Sequence, residues 1–168
     1  MPKIIENPQS RLIEEAKRQI EERGYGAMTI RSVASACGVG VGTVYNYFPS
    51  KEALVVSFML DQWKDCVTAI NAVGNYSCDP EIVCRCIYDQ LMDYSRKYTS
   101  IFRDETAAKV FAGSQGQYHK VLRQQLAMPL RRFCDSDFAA EFAAEALLTW
   151  SMAGKSFEEI YGMIGKLF

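Results

Sequence analysis

Between Val41 and Lys51 the chain places side chains suited to meeting a nucleic acid at spacings that fit one helix face. With Val44 and Phe48 turned inward, Val41, Gly42, Thr43, Tyr45, Asn46 and Tyr47 are left outward. That face starts without a bulky charge, so a duplex could approach its backbone. It then offers hydroxyls and an amide, which bond phosphate oxygens and base edges. Lys51 adds a cation beside the free N–H groups that open the next helix, where anions are favoured. Plainer readings exist for each residue. Taken singly, Tyr45 and Tyr47 could equally cover a small core, and Lys51 could be a solvated helix-end residue. The glycines of the Gly38–Gly42 stretch do not make a phosphate loop, because the GxxxxGK[ST] spacing and a preceding strand are both missing.

Other chemistry is thinly supported. No paired carboxylate, Ser/His/Asp set or metal-ligand cluster stands out, and His119 is the one histidine. General acid–base catalysis therefore has few candidates, and neither enzyme activity, a metal nor a cofactor is expected. The six cysteines, Cys37, Cys66, Cys78, Cys84, Cys86 and Cys134, contain no CxxC pair. Reduced thiols acting as small buried hydrophobes are the expectation, with a thiol-based redox regulator as the alternative.

Helices must position the outward face. Asn7-Pro8 is expected to cap and open a first helix, whose inner face is Leu12, Ile13, Ala16 and Ile20, with Arg, Glu, Lys and Gln on the other side. Gly24 and Gly26 stop it. Thr29 caps a second helix that buries Ile30, Val33, Ala34 and Cys37, and Gly38 turns the chain at positive φ into a third helix, Val41 to Phe48. Ser50 caps a long fourth helix reaching about Asn71, before Gly74-Asn75. Further helices are expected from Asp79-Pro80, at Asp104–Phe111, from Tyr118 to Phe133 with a bend at Pro129, from Phe138 to Met152 after Asp135-Ser136-Asp137, and from Ser156 to the chain end. A break is expected at Gly113-Ser114-Gln115-Gly116. No stretch alternates with period two, so the whole chain is expected to be α.

Net charge is −1, but residues 1–51 carry a balance of +2 and the rest −3. That asymmetry has the sign expected of a phosphate-facing module on an acidic body. No apolar run approaches membrane-spanning length, and the N-terminus lacks an apolar core of signal-peptide length. A cytoplasmic protein with no membrane partner is expected.

The run Gly38-Val39, then Gly42-Thr43-Val44-Tyr45-Asn46-Tyr47-Phe48-Pro49-Ser50-Lys51-Glu52-Ala53-Leu54, closely resembles the signature of the tetracycline-repressor (TetR) family of transcription regulators. Upstream Gly24-Tyr25, Thr29-Ile30 and Val33-Ala34 fit the same pattern, so the resemblance covers about residues 9–56. It implies a three-helix helix-turn-helix DNA-binding domain at 1–49 and a helical effector-binding and dimerisation domain at 50–168. It further implies a homodimer on a palindromic operator of double-stranded DNA, with a small-molecule effector that releases a repressor. Carried over by position, Tyr45, Tyr47 and Lys51 would contact phosphates, Gly42 and Thr43 would lie against backbone or base edges, and Asn46 would face the groove. Thr29 would cap the second helix and touch phosphate, with Arg31 nearby. A family member acting as a co-regulator without binding DNA is a further alternative. Two positions depart from the pattern. Gly40 stands where many members have a capping Ser. Val41 stands where a polar residue is frequent, and it either packs on a thymine methyl or leaves that base unread. The segment after residue 50 is short for such a body, which points to a small effector pocket or none.

Aromatic residues are dense beyond Asp79. Most belong in a core, but Trp63, Tyr88, Tyr94, His119 and Trp150 could give a cavity its polar tips. The stripe Phe138, Phe142, Ala146 and Trp150, continued by Ile160 and Ile164, suits a two-fold helical interface; an ordinary intramolecular core would leave the same pattern.

Overall fold

A computed structural model of the chain describes residues 7–107 and 115–168. Among these residues there are helices and no strands, so the all-α expectation holds. The elements are α1 (Pro8–Arg23), α2 (Ile30–Cys37), α3 (Val41–Tyr47), α4 (Lys51–Tyr76), α5 (Pro80–Lys97), α6 (Thr99–Phe102), α7 (Gln115–Ala127), a 3-10 segment (Met128–Phe133), α8 (Asp137–Met152), α9 (Phe157–Ile164) and a terminal 3-10 turn (Gly165–Leu167). No helix among the described residues is long and apolar enough to cross a membrane.

Two compact units result. The first is Met1–Asp61 with Tyr98–Ala112, and the second is Gln62–Lys97 with Gly113–Phe168. This division differs from a cut between residues 49 and 50. The start of α4 belongs with the first unit because Leu54, Val55 and Phe58 are buried there, and residues 98–107 return to it through Tyr98, Ile101 and Ala107.

In the first unit, α1 buries Leu12, Ala16 and Ile20 against Val33, Ala34 and Cys37 of α2. Ala34 is 1% exposed, and its small side chain lets the two helices approach closely. Gly38 ends α2 at φ +68°, the left-handed conformation that glycine takes without a Cβ penalty, and so redirects the chain into α3. One expected cap is absent. Asn7 adopts φ +50° and makes no side-chain cap bond, while its carbonyl accepts from the Arg11 N–H at 3.4 Å. Ile13 is only half-buried.

The second unit is centred on α8, which packs against α5, α7, α9 and the 3-10 segment. Ala140, Ala143 and Ala144 are fully buried on it, and these small residues allow neighbours close on several sides. Ser136 caps α8 on the Ala139 N–H, and Ser156 with Glu159 forms a capping box on α9. The chain does not stay α-helical to its end but tightens into the 3-10 turn at 165–167.

Two expected boundaries move. Helix α4 runs through Gly74 to Tyr76, because that glycine faces Pro129 instead of breaking the helix: a Cβ there would lie 2.7 Å from the Pro129 Cβ. Pro129 does not merely bend its helix. The α-helix stops at Ala127 and Pro129 sits in the 3-10 segment, since proline cannot supply the N–H an α-helix interior needs. Of the helix expected at Asp104–Phe111, residues 105–107 are helical and the remainder lies outside the described residues, as do Gly113 and Ser114 of the expected break. Gln115 and Gly116 belong to α7.

Candidate nucleic-acid interface

Helix α3 turns one side in and the other out. Val44 is fully buried and Phe48 nearly so, whereas Gly42, Tyr45, Asn46 and Tyr47 are exposed and Val41 and Thr43 half-buried. Tyr45 keeps 51% of its surface accessible, and Tyr47 keeps 42%, so neither caps the small core. Gly40 precedes the helix in extended conformation and offers no side-chain cap bond. A Cβ placed on Gly42 would meet nothing within 4 Å. The fold of the unit therefore has no steric need for glycine there.

Thr29 and Arg31 are both exposed at the start of α2. Thr29 forms a capping box with Ser32: its hydroxyl accepts from the Ser32 N–H at 3.0 Å, and Ser32 Oγ accepts from the Thr29 N–H at 3.1 Å. Gln19 supports this cap from within α1. It is 3% exposed, accepting from Ser32 Oγ at 2.5 Å and donating to Glu15 at 2.7 Å. Sequence patterning placed the glutamines of α1 on its polar side. The signal available was position: Gln19 adjoins Ile20 and follows Ala16 by three, which puts it on the inner stripe.

Lys51 does not extend outward as a phosphate contact would. It is half-buried, its ammonium donating to the Tyr25 carbonyl at 2.5 Å and lying 4.0 Å from the centre of the Tyr25 ring. Burial pulls the Lys51 pKa below the usual lysine range, against the raising influence of Glu52 and Asp104. Tyr25 is 1% exposed and donates its hydroxyl to Glu52 at 3.2 Å. Its burial, with the Glu52 carboxylate close by, pushes the phenol up to about 12. On α1, Arg18 is occupied by Glu15 and Glu22, both at 2.7 Å.

The proposed pocket residues of the second unit do not converge. Trp63 is buried, donates its indole N–H to Gln125 at 2.6 Å and meets the Tyr94 ring edge-on at 5.6 Å. Tyr88 lies elsewhere, donating to the Lys155 carbonyl at 3.0 Å beside Phe157. His119 pairs with Glu145 across α7 and α8 at 2.8 Å. Trp150 is 52% exposed on the outside of α8.

The stripe on α8 is also split. Phe138, Phe142 and Trp150 face outward, and Ala146 is half-buried. Ile160 and Ile164 are buried in the unit's own core, because α9 packs its inner face on α8. A surface groove of about 310 Å³ runs between α8 and α9, lined by Phe142, Trp150, Lys155, Glu159 and the exposed Met163 among others.

The cysteines are all unbridged. Cys37, Cys66 and Cys84 are buried and Cys78 is exposed. Burial pushes the thiols of Cys37, Cys66, Cys86 and Cys134 up, and that of Cys84 to about 12. A peroxide-reactive cysteine needs the opposite shift. Among the described residues no group of three or more His, Cys, Asp or Glu side chains is arranged to hold a metal ion.

Residues 12–58 match the family described as bacterial regulatory proteins, tetR family. Over 54 residues the chain is 39% identical to the uncharacterized HTH-type transcriptional regulator YuxN of Bacillus subtilis (strain 168); the match spans 32% of this chain but only 18% of YuxN. The fold as a whole is similar to SCO7518 from Streptomyces coelicolor A3(2), with a TM-score of 0.70 at 14% identity, covering 96% of this chain and 98% of that one. It is similar also to FadR from Thermus thermophilus, a TetR family transcriptional repressor solved in complex with lauroyl-CoA, with a TM-score of 0.63 at 18% identity over 95% and 92% of the two chains.

Proposed function

We propose that this chain, whose residues 12–58 match the tetR family of bacterial regulatory proteins, regulates transcription by binding double-stranded DNA with α3. The observation that carries this reading is Gly42. Nothing within the fold crowds that position, yet it sits on an exposed face with Tyr45, Asn46 and Tyr47. A bare backbone suits a site where something outside the chain comes close, and the neighbouring hydroxyls and amide suit phosphates and base edges. Thr29 and Arg31, exposed at the start of α2, join this set as phosphate contacts. Lys51 is left out of the contact set, because its ammonium is committed to Tyr25.

The acting species is a homodimer. Phe138 and Met163 are 78% and 79% exposed, and with Phe142 and Trp150 they leave an apolar face on α8 and α9 that a second copy would cover. Two recognition helices held about 34 Å apart would meet successive major grooves of a palindromic operator. An apolar small molecule releasing a repressor completes the reading. Its support is the likeness to a FadR solved in complex with lauroyl-CoA.

Selection of bound sequences from a random duplex pool at low ionic strength tests the reading. A two-fold symmetric consensus is expected. A pool that stays random after several rounds would remove the DNA-binding assignment.

A further inference from the structure

Tyr25 and Gly26 share one peptide group, and two charged side chains hold it by its two ends. The Lys51 ammonium donates to the Tyr25 carbonyl at 2.5 Å. Asp104 Oδ2 accepts from the Gly26 N–H at 3.0 Å. A cation at the oxygen and an anion at the N–H both complement the peptide dipole, and each contact is a charge-assisted hydrogen bond. The peptide lies in the loop between α1 and α2, a few residues ahead of the Thr29 cap. The buried Tyr25 ring fixes the side chain, but these two contacts fix the orientation of the peptide plane.

Asp104 divides its carboxylate between two tasks. Oδ2 serves Gly26, while Oδ1 accepts from the N–H groups of Thr106 and Ala107 at 2.9 and 3.0 Å and so caps the helical residues 105–107. These N–H donors, with Lys51 nearby, hold the Asp104 carboxyl below the usual carboxylate range. The loop ahead of α2 is therefore tied to a stretch of chain 78 positions away that belongs to the same unit.

We propose that Asp104 is a positioning residue for the duplex-binding face: by accepting from the Gly26 N–H while it caps residues 105–107, it holds the α1–α2 loop in register ahead of α2. This rests on the DNA-binding reading above and names a further positioning residue for that same face.

The two tasks can be separated by substitution. Asp104→Asn keeps a carbonyl oxygen for Thr106 and Ala107, because asparagine caps helices well, but turns an amide NH2 toward the Gly26 N–H. Asp104→Ala removes both acceptors. Amide hydrogen exchange at Gly26 and Ala107 is measured in the full chain, together with affinity for a selected duplex over a salt series. For Asp104→Asn, Gly26 exchange should rise by about tenfold and Ala107 exchange stay unchanged, while affinity falls about three- to tenfold at an unaltered salt slope. Asp104→Ala should accelerate exchange at both amides. Unchanged Gly26 exchange in Asp104→Asn would overturn the proposal, as would a freed Gly26 with wild-type affinity. A wild-type chain that protects Gly26 yet binds no duplex would remove the DNA-binding reading and the proposal with it, an outcome told apart by the intact protection.

Discussion

Gln19 reaches from the interior of α1 to Ser32 in the first turn of α2, accepting its hydroxyl at 2.5 Å. Ser32 in turn completes the Thr29 capping box. A buried polar side chain is costly unless satisfied, and Gln19 is satisfied at both ends, by Ser32 and by Glu15. Gln19→Leu should therefore destabilise the chain by about 1–2 kcal/mol, with Ser32 falling back on the Thr29 carbonyl. Urea unfolding would register this as a lower midpoint with an unchanged slope.

Two glycines should respond oppositely to alanine. Gly74→Ala forces a Cβ to 2.7 Å from Pro129 and is expected to cost about 1–3 kcal/mol, seen as a lower thermal midpoint. Gly42→Ala meets nothing within 4 Å and should leave the chain at least as stable as wild type. If a duplex approaches the backbone there, the same change should weaken DNA binding by about tenfold or more.

Salt dependence separates Arg31 from Lys51. Arg31 is exposed at the start of α2, so Arg31→Ala should reduce the slope of log affinity against log salt by about one per protomer. Lys51 is turned onto Tyr25, so Lys51→Met should lower affinity through the displaced loop while leaving the slope as it was. Anisotropy titrations at several salt concentrations decide between the two behaviours.

Alkaline pH should loosen the first unit. The folded-state pKa of Tyr25, about 12, lies above its ordinary value of 10.0. Its contribution to stability is therefore complete below pH 10 and is lost as pH rises toward 12. Lys51, whose pKa is lowered from 10.5, works in the opposite sense and at pH values below 10.5, so the comparison must isolate the phenol. Tyr25→Phe should show a smaller loss of thermal midpoint over that interval than wild type.

The exposed aromatic stripe predicts the oligomeric state. Phe142→Glu and Trp150→Glu place charges on a face open in the single chain, so the monomer should still fold. Sedimentation is expected to report dimers for wild type and monomers for the variants, and the variants should bind a paired operator more weakly while their affinity for an isolated half-site is unchanged, because the two heads no longer act together.

Much of this was legible in the sequence because it rests on local rules. Thr29 and Ser136 cap where hydroxyls cap, Gly38 supplies positive φ, and Val44 and Phe48 fall at the spacing that faces a core. What escaped depends on contacts far along the chain. Gly74 looks like a stop until Pro129 is placed against it, and Lys51 looks like a free cation until Tyr25 lies beneath it. Asp104 carries no sequence signal at all beyond a helix cap; its hold on Gly26 exists only once residues 98–107 pack with the first unit. The scattered Trp63, Tyr88, His119 and Trp150 show the same limit, since helical periodicity gives a face but not the neighbour it meets.

The claim that α3 presents its outer face to a duplex is tested most directly by nuclear magnetic resonance of the labelled chain titrated with a selected duplex. The account predicts that amide shifts concentrate at Gly42, Thr43, Asn46 and Tyr47, with Arg31 and Thr29 next. Binding with those residues unmoved and the shifts gathered on another surface would contradict it.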